Sequence, residues 1–219
     1  MKTNPRTAAE KVRERLTAAS TVAIQLYGRP GVGKTTVIDR LAASLARLDA
    51  VGMVTAALGR TDAASVSPEE ARIWKVEGVD HLTAEDLLAL LDRLPLDRLD
   101  YLFVEENRDP TTLPPSDLGC HARAVVLAAS GGAGQVEEAA KAIRRAHFVL
   151  FTQGDQADVP AFEIHEVCRR VRAVADVPTF ILSQEQHSEW MEWITFLANL
   201  RRRHLCRHDV GSDTAIYFG

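Results

Sequence analysis

The chain has few cysteines, no long apolar run and no excess of basic charge. Three cysteines, Cys120, Cys168 and Cys206, stand at unrelated spacings among 219 residues. An odd number so spaced argues against a disulfide framework and points to a reducing compartment. No apolar stretch approaches the length of a membrane span. The polar, acid-bearing start "MKTNPRTAAEKVRERL" has no apolar core of signal-peptide length. The expected location is therefore cytoplasmic, with no membrane partner. A formal net charge of −4 supplies no general attraction to nucleic acid or anionic lipid. Internal repeats, low-complexity tracts and convincing linkers are also missing.

The composition that remains is that of an ordinary globular protein, with 46% hydrophobic and 26% charged residues. The length suits one domain with a sizeable core. Short apolar runs rich in β-branched residues occur at "TVAIQLY", "VGMVTAAL", "YLFVEE", "ARAVVLAAS", "HFVLFTQ" and "PTFILSQ". They read as strands buried on both faces, as in a parallel sheet. Amphipathic stretches separate them: "TTVIDRLAASLARL", "TAEDLLALLDRL", "QVEEAAKAIRRA", "FEIHEVCRRVRAV" and "EWMEWITFLANLRRR". This alternation predicts a single α/β domain with a mostly parallel sheet and helices on both faces. A leading helix is expected within residues 1–20, the main domain over 21–200, and a basic tail or edge strand over 201–219.

One motif carries chemistry directly. "YGRPGVGKTTV" contains Gly28-x4-Gly33-Lys34-Thr35, after a predicted strand and at the start of a predicted helix. That is the setting a phosphate-binding loop requires. Its glycines, Gly28, Gly31 and Gly33, let the backbone come close to phosphates. The amides of Val32, Gly33, Lys34, Thr35 and Thr36 then point at anionic oxygens from a helix N-terminus. Lys34 would reach the β- and γ-phosphates, and the Thr35 hydroxyl would ligate Mg²⁺. The fold expected is therefore that of a P-loop NTPase.

Around this loop the chain resembles the nickel-incorporation GTPases of the HypB family and, less closely, UreG. The likeness runs from the leading helix to about Leu200. "YLFVEENRDPTTLPPSDLG" follows the family's strand–acid segment through to Asp117-Leu118-Gly119, and "ARI" at Ala71 to Ile73 follows the first switch. "VDHL" falls where the family has Cys-His, and "HFVLFTQGD" falls on the strand leading to Asn-Lys-x-Asp. "ILSQEQHSEWMEWITFL" is similar to the last strand and the helix with paired tryptophans. The resemblance implies GTP or GDP with Mg²⁺ as ligands. It also implies a homodimer, other maturation proteins or a client metalloenzyme as partners, and nickel delivery, most plausibly to a [NiFe] hydrogenase. It makes Lys34 and Glu105 catalytic candidates and places guanine recognition on Gln153, Asp155, Ser183 and Gln184.

The departures from the family fall on functional positions. Arg108 replaces the switch glycine that senses the γ-phosphate, and it reads either as a solvated loop arginine or as an internal arginine finger. Arg60 replaces the first-switch acid, with Asp62 two residues on. "TQGD", Thr152 to Asp155, keeps only the terminal carboxylate of the guanine motif, and an ordinary strand-end turn is the other reading. Slow hydrolysis is the expectation. The bridging Cys-His reads Asp80-His81, which removes the soft thiolate ligand, so nickel or zinc binding of the family type is not expected. Other transition-metal candidates are Cys120 with His121, and His204, Cys206 and His208 in "HLCRH". Each has a plainer reading, as a loop pair and as a basic partner-facing segment. Cys168 and the pair Trp190 and Trp193 read as packed helix faces. Two other functions stay open: a nucleotide-binding scaffold that has lost turnover and metal transfer, and an ATP-dependent small-molecule kinase.

Overall fold

The computed structural model describes residues 6–45, 50–57, 72–112, 115–152, 161–183 and 187–209. Seven strands form one all-parallel sheet: β1 (Val22–Gly28), β2 (Val51–Ala57), β3 (Arg72–Glu77), β4 (Tyr101–Asn107), β5 (Ala122–Ala128), β6 (Phe148–Thr152) and β7 (Thr179–Ile181). Their spatial order is β3-β2-β4-β1-β5-β6-β7. All seven residues of β1 are buried, as a central strand covered on both faces requires.

The helices are α1 (Ala8–Ala18), α2 (Lys34–Leu45), α3 (Ala84–Leu91), α4 (Gly134–Glu138), α5 (Ala140–Ile143), α6 (Ala161–Val174) and α7 (His187–Asp209). On one face, α2 and α7 bury Ile38, Leu41, Trp190, Trp193 and Leu197 against Ile24, Leu26 and Phe103. The other face has two clusters. One gathers Val12 and Leu16 of α1 with Leu87 and Leu91 of α3, over Leu102 and Val104. The second gathers Val136, Ile143, Val167 and Val171 over Val125, Leu127 and Phe151. Helix starts are fixed locally: Thr7 and Glu10 form a capping box on α1, and Thr83 and Asp86 form one on α3, each worth about 1 kcal/mol.

The α/β sheet with helices on both faces is thus present, with three differences from the sequence reading. The segment before His81 holds a seventh strand, β3, parallel to β2 from Arg72 opposite Gly52 to Glu77 opposite Ala57. It is an edge strand, and "RIWKVE" intersperses three charged residues among three apolar ones, so no long apolar run announces it. "QVEEAAKAIRRA" forms two short helices rather than one. Of the segment 201–219, read as a basic tail or edge strand, residues 201–209 continue α7 as helix and 210–219 lie outside the described residues. Just before it Leu197 and Leu200 pack on the core, and Arg201 is bonded to Asp100 ahead of β4. Among the described residues no helix is long and apolar enough to cross a membrane.

Candidate functional site: the phosphate loop and its surroundings

β1 lies between β4 and β5, so its C-terminal end opens at the centre of the sheet. Open parallel sheets bind ligands at this edge. The chain leaves β1 at Gly28 and enters α2 at Lys34. Gly31 and Gly33 have φ of +76° and +93°, the left-handed values that glycine adopts without strain. They turn the loop back around its own amides, and the first-turn amides of α2 have no carbonyl partner within the helix.

Lys34 is buried. Its Nζ donates to the Gly28 carbonyl at 2.9 Å and to the Arg29 carbonyl at 2.7 Å, and lies 3.6 Å from Glu105 Oε1. Burial pushes the Lys34 pKa down, and the neighbouring Glu105 charge opposes that shift. The two catalytic candidates thus stand together across β1 and β4. Thr35 and Thr36 follow, exposed on the first turn, while Val32 is buried.

Two further fastenings were not visible in the sequence. Thr152, at the end of β6, is buried, and its hydroxyl meets the Val32 carbonyl and lies 3.3 Å from the Leu127 carbonyl. The residue standing in for the family's asparagine therefore ties the base side of the site to the phosphate loop. Ser183, after β7, offers its carbonyl to the Trp190 indole N–H at 2.6 Å and to Arg40 at 3.0 Å. The Arg40 guanidinium lies 4.3 Å over the Trp190 ring, a cation–π contact. Trp190 and Trp193 do pack in the core, and the polar edge of Trp190 also anchors the Ser183 loop.

The loop after β4 closes against the phosphate loop. Arg29 Nε lies 2.8 Å from Asp109 Oδ2. Burial raises the Asp109 carboxyl, but Arg29 and Thr111 together hold it below the ordinary aspartate value. Arg108 does not join Lys34. Glu105 and Glu106 are neighbours on a strand and so leave on opposite faces. Arg108 pairs with Glu106, Nε to Oε1 at 3.3 Å, and its backbone N–H donates to the Glu106 carbonyl at 3.0 Å.

No protein-family model matches the chain. A curated relative, the probable hydrogenase maturation factor HypB of Methanocaldococcus jannaschii, is 27% identical over 175 residues. That match covers 77% of this chain and 79% of the relative. The chain is HypB-like, with the P-loop fold. Solved structures agree on the fold. HypB from Archaeoglobus fulgidus superposes with a TM-score of 0.77 at 21% identity, covering 89% of this chain and 97% of that one. HypB from Helicobacter pylori, solved in complex with nickel, superposes with a TM-score of 0.75 at 20% identity, covering 90% and 95%.

Of the transition-metal candidates in this HypB-like chain, His121 and His204 come into contact among the described residues, and His81 and Cys120 stand elsewhere or point into packing. His81 is exposed ahead of α3. Cys120 packs beside the α1–α3 cluster, and burial pushes its thiol up to about 12. His121 accepts from the Ala23 amide through Nδ1 at 3.0 Å, and its Nε2 meets Thr17 Oγ at 2.9 Å. Thr17 already donates to the Arg13 carbonyl at 2.6 Å, so His121 Nε2 is the donor and both ring nitrogens are engaged. His204 lies tilted against His121, with ring centroids 4.8 Å apart and planes at 54°. Among the described residues no three His, Cys, Asp or Glu side chains form a metal-holding group. Gln153, Asp155, Gln184, Arg60, Asp62 and the side chains of Cys206 and His208 lie outside the described residues.

Glu106 carries a pH prediction. Its side chain is fully buried, with Oε2 taken by the Gln25 amide. Burial raises its pKa above the ordinary 4.5, against the pull of Gln25 and Arg108. The fold therefore holds this proton more tightly than the unfolded chain does. The resulting stability is full below the ordinary glutamate value and is lost as pH rises through the higher folded value. Glu106→Gln, which cannot ionise, is expected to be more stable relative to the parent at pH 8 than at pH 4. Urea unfolding at both pH values checks this, and an equal effect at the two would refute it.

Proposed function

We propose that this chain is a GTP-binding accessory protein of metalloenzyme maturation, serving nickel insertion into a [NiFe] hydrogenase. The carrying observation is an intact phosphate loop, with Lys34 beside Glu105, in a chain related to HypB along most of its length. Lys34 and the amides from Val32 to Thr36 would bind the β- and γ-phosphates. The exposed Thr35 hydroxyl and the Glu105 carboxylate are oxygen donors that suit Mg²⁺, and the ion would neutralise phosphate charge. Gln153, Asp155 and Gln184 would read guanine together with Ser183, whose carbonyl is anchored by Trp190 and Arg40.

In cells lacking the gene, the hydrogenase should be short of nickel. The wild-type gene should restore the metal and Lys34→Ala should not. Full nickel without the gene would remove the proposed client.

A second reading is a scaffold that binds nucleotide without turning it over. The Arg108 amide favours it, because that N–H is already bonded to Glu106 rather than free for a γ-phosphate. Single-turnover assays with bound GTP separate the two. The accessory enzyme clears it slowly but completely, and the scaffold leaves it intact.

A further inference from the structure

The opposite edge of the sheet holds a second polar site. β5 begins at Ala122 and β6 at Phe148, so their starts lie about 20 Å from the phosphate loop, one strand length away. Between these starts and α1 is a pocket of about 390 Å³, lined by residues that include Arg13, Gln25, Asp117, Arg123, Arg145 and His147. Three arginines share this pocket with one aspartate, in a chain whose net charge is −4.

Arg123 is the organising group. Its Nε donates to Gln25 Oε1 at 3.0 Å, and its two terminal nitrogens donate to the Arg145 carbonyl at 3.2 Å and the Ser116 carbonyl at 3.1 Å. Those three partners are neutral. A guanidinium has five N–H donors, so two remain. The nearby buried carboxylate, Glu106, reaches Arg123 only through the Gln25 amide, whose nitrogen it holds. The guanidinium is therefore fixed in orientation and partly buried, with no directly bonded anion among the described residues.

The surrounding groups fit the same ligand. His147 Nδ1 accepts from the Arg123 backbone N–H at 3.1 Å, which leaves Nε2 as the donor of the neutral ring. Arg145 is exposed. Arg13 is held by Asp117 at 3.1 Å, with both side chains largely exposed. Such a pair is worth little and opens readily.

We propose that this pocket binds a small multiply charged oxyanion, a phosphate ester or a polycarboxylate, clamped by Arg123 and Arg145 with the His147 N–H. Guanidinium forks match both head groups in bidentate geometry. The volume suits a metabolite-sized ligand and exceeds what a bare phosphate fills.

The test uses glucose 6-phosphate and citrate as probes, with glucose as the uncharged control. Calorimetric titrations are run in the Lys34→Ala background, so that the phosphate loop does not compete. One charged probe should bind at micromolar to submillimolar concentration, and which one does identifies the head group. Glucose should not bind. Arg145→Ala should weaken binding about tenfold, and Arg123→Gln should abolish it. Arg145 has an exposed side chain, so its variant decides the matter even where Arg123→Gln melts early. Failure of both charged probes to bind below about 10 mM, or binding unchanged in Arg145→Ala, overturns the proposal.

Discussion

Lys34→Ala is expected to weaken GTP binding about 150-fold while leaving the fold in place. Lys34 is held inside the phosphate loop, between the Gly28 and Arg29 carbonyls and the Glu105 carboxylate. Truncating one partner of a buried, hydrogen-bonded charge pair costs roughly 2–5 kcal/mol, and about 3 kcal/mol corresponds to the stated loss. Stability responds differently. Burial depresses the Lys34 pKa, so at neutral pH its buried charge opposes folding. Removing it relieves that cost, while Glu105 and two carbonyls lose a partner. These effects offset, and the melting temperature should stay within about 4 °C of the parent, the shift of ~1 kcal/mol in a chain of this size. Isothermal titration with GTP and Mg²⁺, beside a thermal melt, checks both parts. Affinity within threefold of the parent would contradict the assignment of Lys34.

Gly119→Val should be strongly destabilising. Gly119 closes the Asp117-Leu118-Gly119 turn at φ +82°, and a Cβ there would stand 2.3 Å from the Ala9 carbonyl oxygen and 2.7 Å from Val12 Cβ. Both contacts are with α1, so the helix must move off the sheet or the turn must open. Backbone strain and overpacking each cost about 1–3 kcal/mol. Together they give roughly 4 kcal/mol and a fall in melting temperature of about 12 °C. Gly78→Ala is the control. Gly78 has φ +76°, but a Cβ there meets nothing within 4 Å, so only the strain remains. If circular dichroism melts show equal losses for the two variants, the collision with α1 is not what matters at Gly119.

The legible half of the site was the half written in consecutive residues. Gly28 to Thr35 identify a phosphate loop because backbone approach, lysine and hydroxyl all come from one short segment. β1, β4, β5 and β6 were legible because burial on both faces demands continuous apolar runs. β3 was not, since an edge strand with charges interspersed along it carries no such run. The fate of Arg108 depended on direction. Glu105 and Glu106 leave β4 on opposite faces, and Arg108 follows the second, toward Gln25, rather than the first, toward Lys34. Thr152 read as a lost guanine contact, whereas its hydroxyl proves to brace the loop 120 residues earlier. Nothing in local sequence encodes such a long-range bond. Trp190 read as core and is core, but its indole N–H found the Ser183 carbonyl seven residues back. His121 looked available for a metal until the fold gave both of its nitrogens to α1 and β1.

On this reading the phosphate loop binds a guanine nucleotide. The most direct test is calorimetric titration of the wild-type chain with GTP and, separately, with ATP, both with Mg²⁺. The prediction is one site per chain, with GTP bound at least tenfold more tightly than ATP, a difference of about 1.4 kcal/mol. Equal affinities, or a preference for ATP, would contradict it.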